Sequence, residues 1–267
     1  MSDLELDKKD STKDKLDGGF AVVDRERLIE QETREVTPWY KHFIHVFTAP
    51  QKMMEECFYA DPPKGASVGV VGCILFILIY MMLCFINPEY KQILFDQFRM
   101  QGIPEASLDA TLQIGMISGI IGAVISAFIT CFLGALVVFI VKAILRDKGK
   151  FGAFYKTMLL ASMVMYGIYC VDALIGLVLG QYTTIFSLAP ILGVNMLSTT
   201  SLSVIATTIS LENIAMLVIM TIGYKVITHS SYKKAIIAII IYEVISLAFS
   251  LGIMALTASL MQGLMGV

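Results

Sequence analysis

Residues 210–262 read as two apolar helices joined by a cationic turn, and this hairpin limits what the chain can fold into. It opens with the polar group Ser210-Leu-Glu-Asn213, runs apolar to Ile227, turns through Lys225–Lys234 and runs apolar again to Gln262. About 20 consecutive apolar residues cross a hydrocarbon core as a helix. In lipid only helices and closed barrels satisfy their own backbone hydrogen bonds. Three more runs of this kind occupy residues 66–86, 112–141 and 154–179, so five transmembrane helices are expected. The composition agrees. The chain of 267 residues is 57% apolar and only 16% charged, with a mean hydropathy of +0.75, beyond the range of an ordinary soluble domain. A net charge of −2 excludes a nucleic-acid surface as the main business. The five cysteines show no CxxC or Cys/His zinc spacing and read as small buried hydrophobes, and no cofactor is expected.

The expected fold is all-α, a polytopic membrane bundle of five transmembrane helices with an N-terminal amphipathic juxtamembrane helix. Three segments follow. Residues 1–36 alternate acidic and basic groups with few large apolar ones, which predicts a disordered cytosolic tail and no cleavable signal peptide. Residues 37–64 form the juxtamembrane segment. Thr37 and Pro38 suit a helix start, and Trp39, Phe43, Val46 and Phe47 then share one face, placing aromatics at headgroup level. His42 and His45 lie off that face. With no third ligand nearby in sequence, they read as interfacial polar residues rather than metal ligands. Residues 65–263 carry the spans.

The second span holds Gly115, Gly119, Gly122, Ser126, Thr130 and Gly134, a small residue every three or four positions. In lipid such residues let helix backbones approach closely, and packing within the chain is the preferred use. Residues 181–209 contain Pro190, Asn195 and the run Ser198–Ser203, which predicts a broken or interfacial element rather than a sixth span. Cations fix the orientation. Ten of the 20 Lys and Arg precede the first span, five lie at the loop from Lys142 to Lys156, and three at the last turn. Only Lys91 and Arg99 fall on the other side. The positive-inside rule then puts the N-terminus in the cytosol and the C-terminus outside.

Ionisable residues inside spans are costly and become candidates for function. Glu243 stands near the middle of the fifth span, Asp172 in the outer half of the third, and Glu212 in the first turn of the fourth, where a helix N-terminus favours an anion. Ser162, Tyr166, Tyr169 and Asp172 form one polar stripe, and Tyr242, Glu243, Ser246 and Ser250 another. If they face each other they make either interhelical hydrogen bonds or a path for protons or substrate; the hydrogen-bond reading is preferred. HExxH, GxSxG and phosphate-loop motifs are absent from the sequence, so an enzyme is not expected.

Four stretches together resemble the Yip family of five-span membrane proteins: Trp39-Tyr-Lys-His-Phe-Ile with Ala49-Pro50, Met54-Glu-Glu and Asp61-Pro-Pro63; Phe151-Gly-Ala-Phe-Tyr-Lys156; Leu211-Glu-Asn-Ile214; and Gly223–Ala235. The Asp-Leu-x-Gly-Pro and Gly-Tyr-x-x-x-Pro signatures of eukaryotic members are missing, which points to the bacterial type. The resemblance implies a non-enzymatic protein of the bacterial cytoplasmic membrane, acting as a scaffold or accessory subunit, some relatives accompanying exporter-type transport systems. Its partners would be the lipid bilayer and other integral membrane proteins or itself, with a Rab-type GTPase not expected. A small transporter or channel using Glu243 and Asp172 is the alternative. The absence of a convincing internal repeat favours the scaffold.

Overall fold

The computed structural model describes residues 38–59, 65–182, 185–193 and 201–265. The expected tail, the break at 61–64 and part of the Ser198–Ser203 run lie outside them. Trp39–Val267 forms one compact unit.

Among the described residues, five helices are long and apolar enough to cross a membrane: α3 (Gly65–Ile86), α5 (Leu108–Ile144), α6 (Phe151–Leu179), α8 (Leu211–Thr228) and α9 (Tyr232–Met265). By this measure the chain is a multi-pass integral membrane protein. Shorter helices complete it: α1 (His42–Thr48), α2 (Pro50–Tyr59), α4 (Pro88–Met100) and α7 (Ser201–Thr208). The spans alternate in direction, so the bundle has a near side, carrying α2 and the turns α5–α6 and α8–α9, and a far side. Their ends follow local chemistry. Asn87 stops α3 and caps α4, its side chain accepting from the N–H groups of Glu89 (2.9 Å) and Tyr90 (3.3 Å), with Pro88 in the first turn. Ser210 caps α8 by accepting from the Asn213 N–H (3.2 Å). Gly180, at φ 66°, ends α6 in the left-handed conformation that glycine adopts without strain.

Helix α5 runs 37 residues, about 55 Å at helical rise, well beyond the roughly 30 Å of a hydrocarbon core. The expected span of 112–141 is its apolar middle. Backbone hydrogen bonding carries the helix on past the point where hydropathy falls.

Helix α6 is the centre. Thr157 to Val164 are buried without interruption, over two turns, as only a helix packed on all sides can be. Helices α3, α5 and α8 surround this segment, and α9 packs on α5 and α8 instead. Three neighbours meet it with glycine. A Cβ at Gly72 of α3 would meet Met163, one at Gly134 of α5 would meet Met158, and one at Gly223 of α8 would strike Thr157 at 2.3 Å.

The segment 185–211 on the far side is broken rather than spanning, as far as it is described. Helix α7 has eight residues, too short to cross. Leu188 N–H donates to the carbonyls of Ala206 and Ile209, and Leu211 N–H to that of Phe186 (2.9 Å), folding the segment over the start of α8. On the near side Asp147 ties two turns together. It accepts from Tyr224 Oη (2.8 Å) and from Lys234 Nζ (2.6 Å).

The juxtamembrane helix departs from expectation. Its aromatic face meets protein, with Phe43 beside Gly72 and Phe47 beside Gly167, rather than being left wholly for headgroups. His42, expected at an interface, is 3% exposed. The cause is α2. Its Met53, Met54 and Cys57 join the bundle core, so α1 is held between the spans and α2.

Candidate functional site

The carboxyls that are costly to bury gather at the far side. Asp172, near the end of α6, is 3% exposed and accepts from the Ile185 N–H (2.9 Å), fastening the chain that leaves α6. Glu212, in the first turn of α8, is fully buried. Neither of its carboxyl oxygens has a hydrogen-bond partner among the described residues. It lies within electrostatic reach of Asp172 and Tyr169. The Tyr169 ring sits between those of Tyr80 (5.5 Å) and Tyr166 (6.1 Å). The structure thus brings Asp172, Glu212, Tyr169 and Tyr166 into one neighbourhood.

Glu243 reaches the same end of α8 but pairs with Asn213 rather than with Asp172 or Glu212. Its Oε1 accepts from the Asn213 side-chain amide (2.9 Å), whose nitrogen also donates to the Thr208 carbonyl (3.0 Å). Asn213, in the first turn of α8, therefore uses one amide hydrogen to hold α9 and the other to hold the end of α7. The two polar stripes do not face each other. Helices α6 and α9 share no extensive contact, because α5 and α8 lie between them. Ser162 pairs instead with Cys131 Sγ on α5 (3.1 Å), and Ser250 donates back to the Ser246 carbonyl. Helix order in the bundle keeps the two stripes apart.

The far side is laced further by residues outside the two polar stripes. Asn87 Nδ2 donates to the Gln181 carbonyl (3.1 Å), Tyr182 N–H to the Glu89 carboxyl, and the Tyr90 and Tyr182 rings stand 4.5 Å apart. Burial pushes both phenols up from their ordinary range, which keeps them neutral.

Compared with protein-family models, with curated proteins and with solved structures, the chain matches none.

What the arrangement can do chemically follows from Glu212. A buried carboxylate without hydrogen bonds is strongly disfavoured, whereas a neutral carboxyl, or one facing a cation, is not. The buried Glu212 oxygens, near Asp172, are therefore open to a hydrogen-bond donor or a cation that the described residues do not supply.

The small-residue stripe on α5 divides. Gly134 is buried against Met158 and Tyr242, and Gly119 and Gly115 touch Met81 and Phe98. Gly122, Ser126 and Thr130 instead face outward, and nothing lies within 4 Å of where a Cβ on Gly122 would be. Packing within the chain, expected for the whole stripe, accounts for its two ends only. The reason is that α6 and α9 cover α5 towards its C-terminus, while the middle of its outer face has no neighbour among the described residues. The metal reading of the histidines also changes. The fold brings Glu56 of α2 to His42 and His45, a third ligand that sequence spacing does not reveal.

Proposed function

We propose that this membrane protein is a non-enzymatic scaffold or accessory subunit of the Yip type, holding another integral membrane protein against the outer face of α5. One observation carries the reading. Gly134 and Gly223 are small because a neighbouring helix of the same chain leaves no room, whereas Gly122, Ser126 and Thr130 are small with no such reason among the described residues. They lie beside a ridge of exposed Ile117, Ile121, Ile125 and Ile129. A groove of small residues flanked by branched ones is what a second transmembrane helix packs into, since lipid tails fill it poorly. The resemblance to Yip proteins supports the same reading, with a cytosolic N-terminus from the cation distribution and an exporter-type system as the class of partner.

A photo-crosslinking residue at Ile125, in membranes of the source cell, tests it. The expected result is one discrete heteromeric adduct that Gly122→Leu suppresses and that the same probe at Val244 on α9 does not form. An adduct of twice the chain mass, or adducts with lipid alone, would overturn the reading.

Glu212 favours a second reading, a small transporter moving protons or cations through the Asp172–Glu212 pair. Here Glu212→Gln should leave the fold intact and abolish ion movement in proteoliposomes. Equal, background-level fluxes in both proteins would remove it.

A further inference from the structure

On the near side, α1 and α2 bring together a set of ligands that neither helix holds alone. His42 and His45 are three residues apart on α1 and so stand on one face, their rings 6.4 Å apart at 85°. The chain then reverses at Ala49, whose ψ of 59° is not helical, and α2 returns with Glu56 over that face. One nitrogen from each histidine and one Glu56 oxygen lie within 4.8 Å of one another.

Three features distinguish this cluster from an ordinary ion pair. His42 Nδ1 and Glu56 Oε2 are 3.9 Å apart, too far for a hydrogen bond. His45 Nδ1 is shut off from solvent yet has no hydrogen-bond partner among the described residues, an arrangement that costs free energy unless something binds there. The cation nearest Glu56, Lys52 at 3.9 Å, is 69% exposed and so contributes little to holding the carboxylate.

We propose that His42, His45 and Glu56 bind one divalent transition-metal ion of the zinc type, clasping α1 to α2. Two imidazoles and a carboxylate form a nitrogen-rich donor set that suits zinc and its neighbours and is poor for magnesium or calcium. Metal–nitrogen and metal–oxygen bonds of about 2.0–2.2 Å place tetrahedral ligands roughly 3.3 Å apart. The cluster must therefore contract by up to about 1.5 Å, which rotation of the partly exposed Glu56 and His45 side chains supplies. Three protein ligands leave a fourth position for water, so the ion is exchangeable. Its role is conformational: it fixes the reversal at Ala49–Pro50, through which the N-terminal residues connect to the bundle.

The test uses the full chain in detergent, stripped with a chelator and titrated with Co2+ and then Zn2+. Expected are one ion per chain, visible cobalt bands of a low-symmetry tetrahedral or five-coordinate site, displacement by Zn2+, and a higher melting temperature with metal. His45→Ala and Glu56→Gln should each weaken binding at least about tenfold. Both change partly exposed side chains, so the metal-free proteins should keep the wild-type elution profile and melting temperature. Cys57→Ser, beside Glu56 but outside the ligand set, should bind as wild type. Substoichiometric binding by the wild type, or wild-type affinity in His45→Ala and Glu56→Gln, would overturn the proposal. Loss of binding in Cys57→Ser would overturn the ligand set.

Discussion

Replacing Gly223 by alanine tests whether the contact between α6 and α8 sets the packing of the bundle. An added Cβ would stand 2.3 Å from Thr157 Cγ2, 2.9 Å from its Oγ1 and 3.2 Å from its Cβ. Carbon atoms prefer about 3.5–4 Å, so α8 would have to move by about 1 Å. Thr157 cannot yield by itself. It is β-branched, and its hydroxyl is held by the Ala153 carbonyl (3.1 Å). Overpacking of this kind costs about 1–3 kcal/mol, from which the better helix propensity of alanine returns up to about 1 kcal/mol. A net loss of about 1–2 kcal/mol is expected. Thr157→Ala removes the two closest atoms, so the double variant should be more stable than the two single effects added together, with a coupling of about 1–2 kcal/mol. Gly122→Ala is the control: with nothing nearby, it should be neutral or slightly stabilising in the isolated chain. The assay is equilibrium unfolding in mixed micelles. Wild-type stability of Gly223→Ala, or strict additivity in the double variant, would refute the close approach.

Four other outcomes follow from the fold. Asp147→Ala should cost about 2 kcal/mol and Asp147→Asn about half as much, because the amide keeps an acceptor for Tyr224; equal melting temperatures for the two would mean that the near-side tie is not formed. Glu243→Gln should be tolerated, whereas Glu243→Leu should lose about 1–3 kcal/mol by stranding the Asn213 amide; a stable but inactive Gln variant would assign Glu243 to proton transfer. Glu212→Leu should raise stability, since it removes a buried carboxyl that has no hydrogen bond among the described residues, and a fall in melting temperature would show that Glu212 is held by a partner. Topology reporters fused after residues 100, 150, 195, 230 and 267 should read out, in, out, in, out, and an outside signal at 230 would reverse the assignment of residues 181–209 as non-spanning.

The sequence by itself determined the number of spans, their order and where several of them end. These are one-dimensional properties. A run of apolar residues either reaches across a hydrocarbon core or does not, and Asn87 and Ser210 cap the helices that directly follow them. The stripes on the third and fifth spans were legible as well, since helical spacing fixes which side chains share a face. What no periodicity reveals is which faces meet. All five apolar runs look alike, yet among the described residues only α6 has an unbroken buried stretch of two turns, Thr157–Val164, where glycines on three separate helices point at Thr157, Met158 and Met163. The partner of Glu243 stands 30 residues away, the partners of Asp147 stand 77 and 87 away, and Glu56 reaches His42 only through the reversal at Ala49. Such pairings depend on the rotation and order of helices about one another. Those are set by packing summed over the whole bundle, and tertiary structure alone decides them.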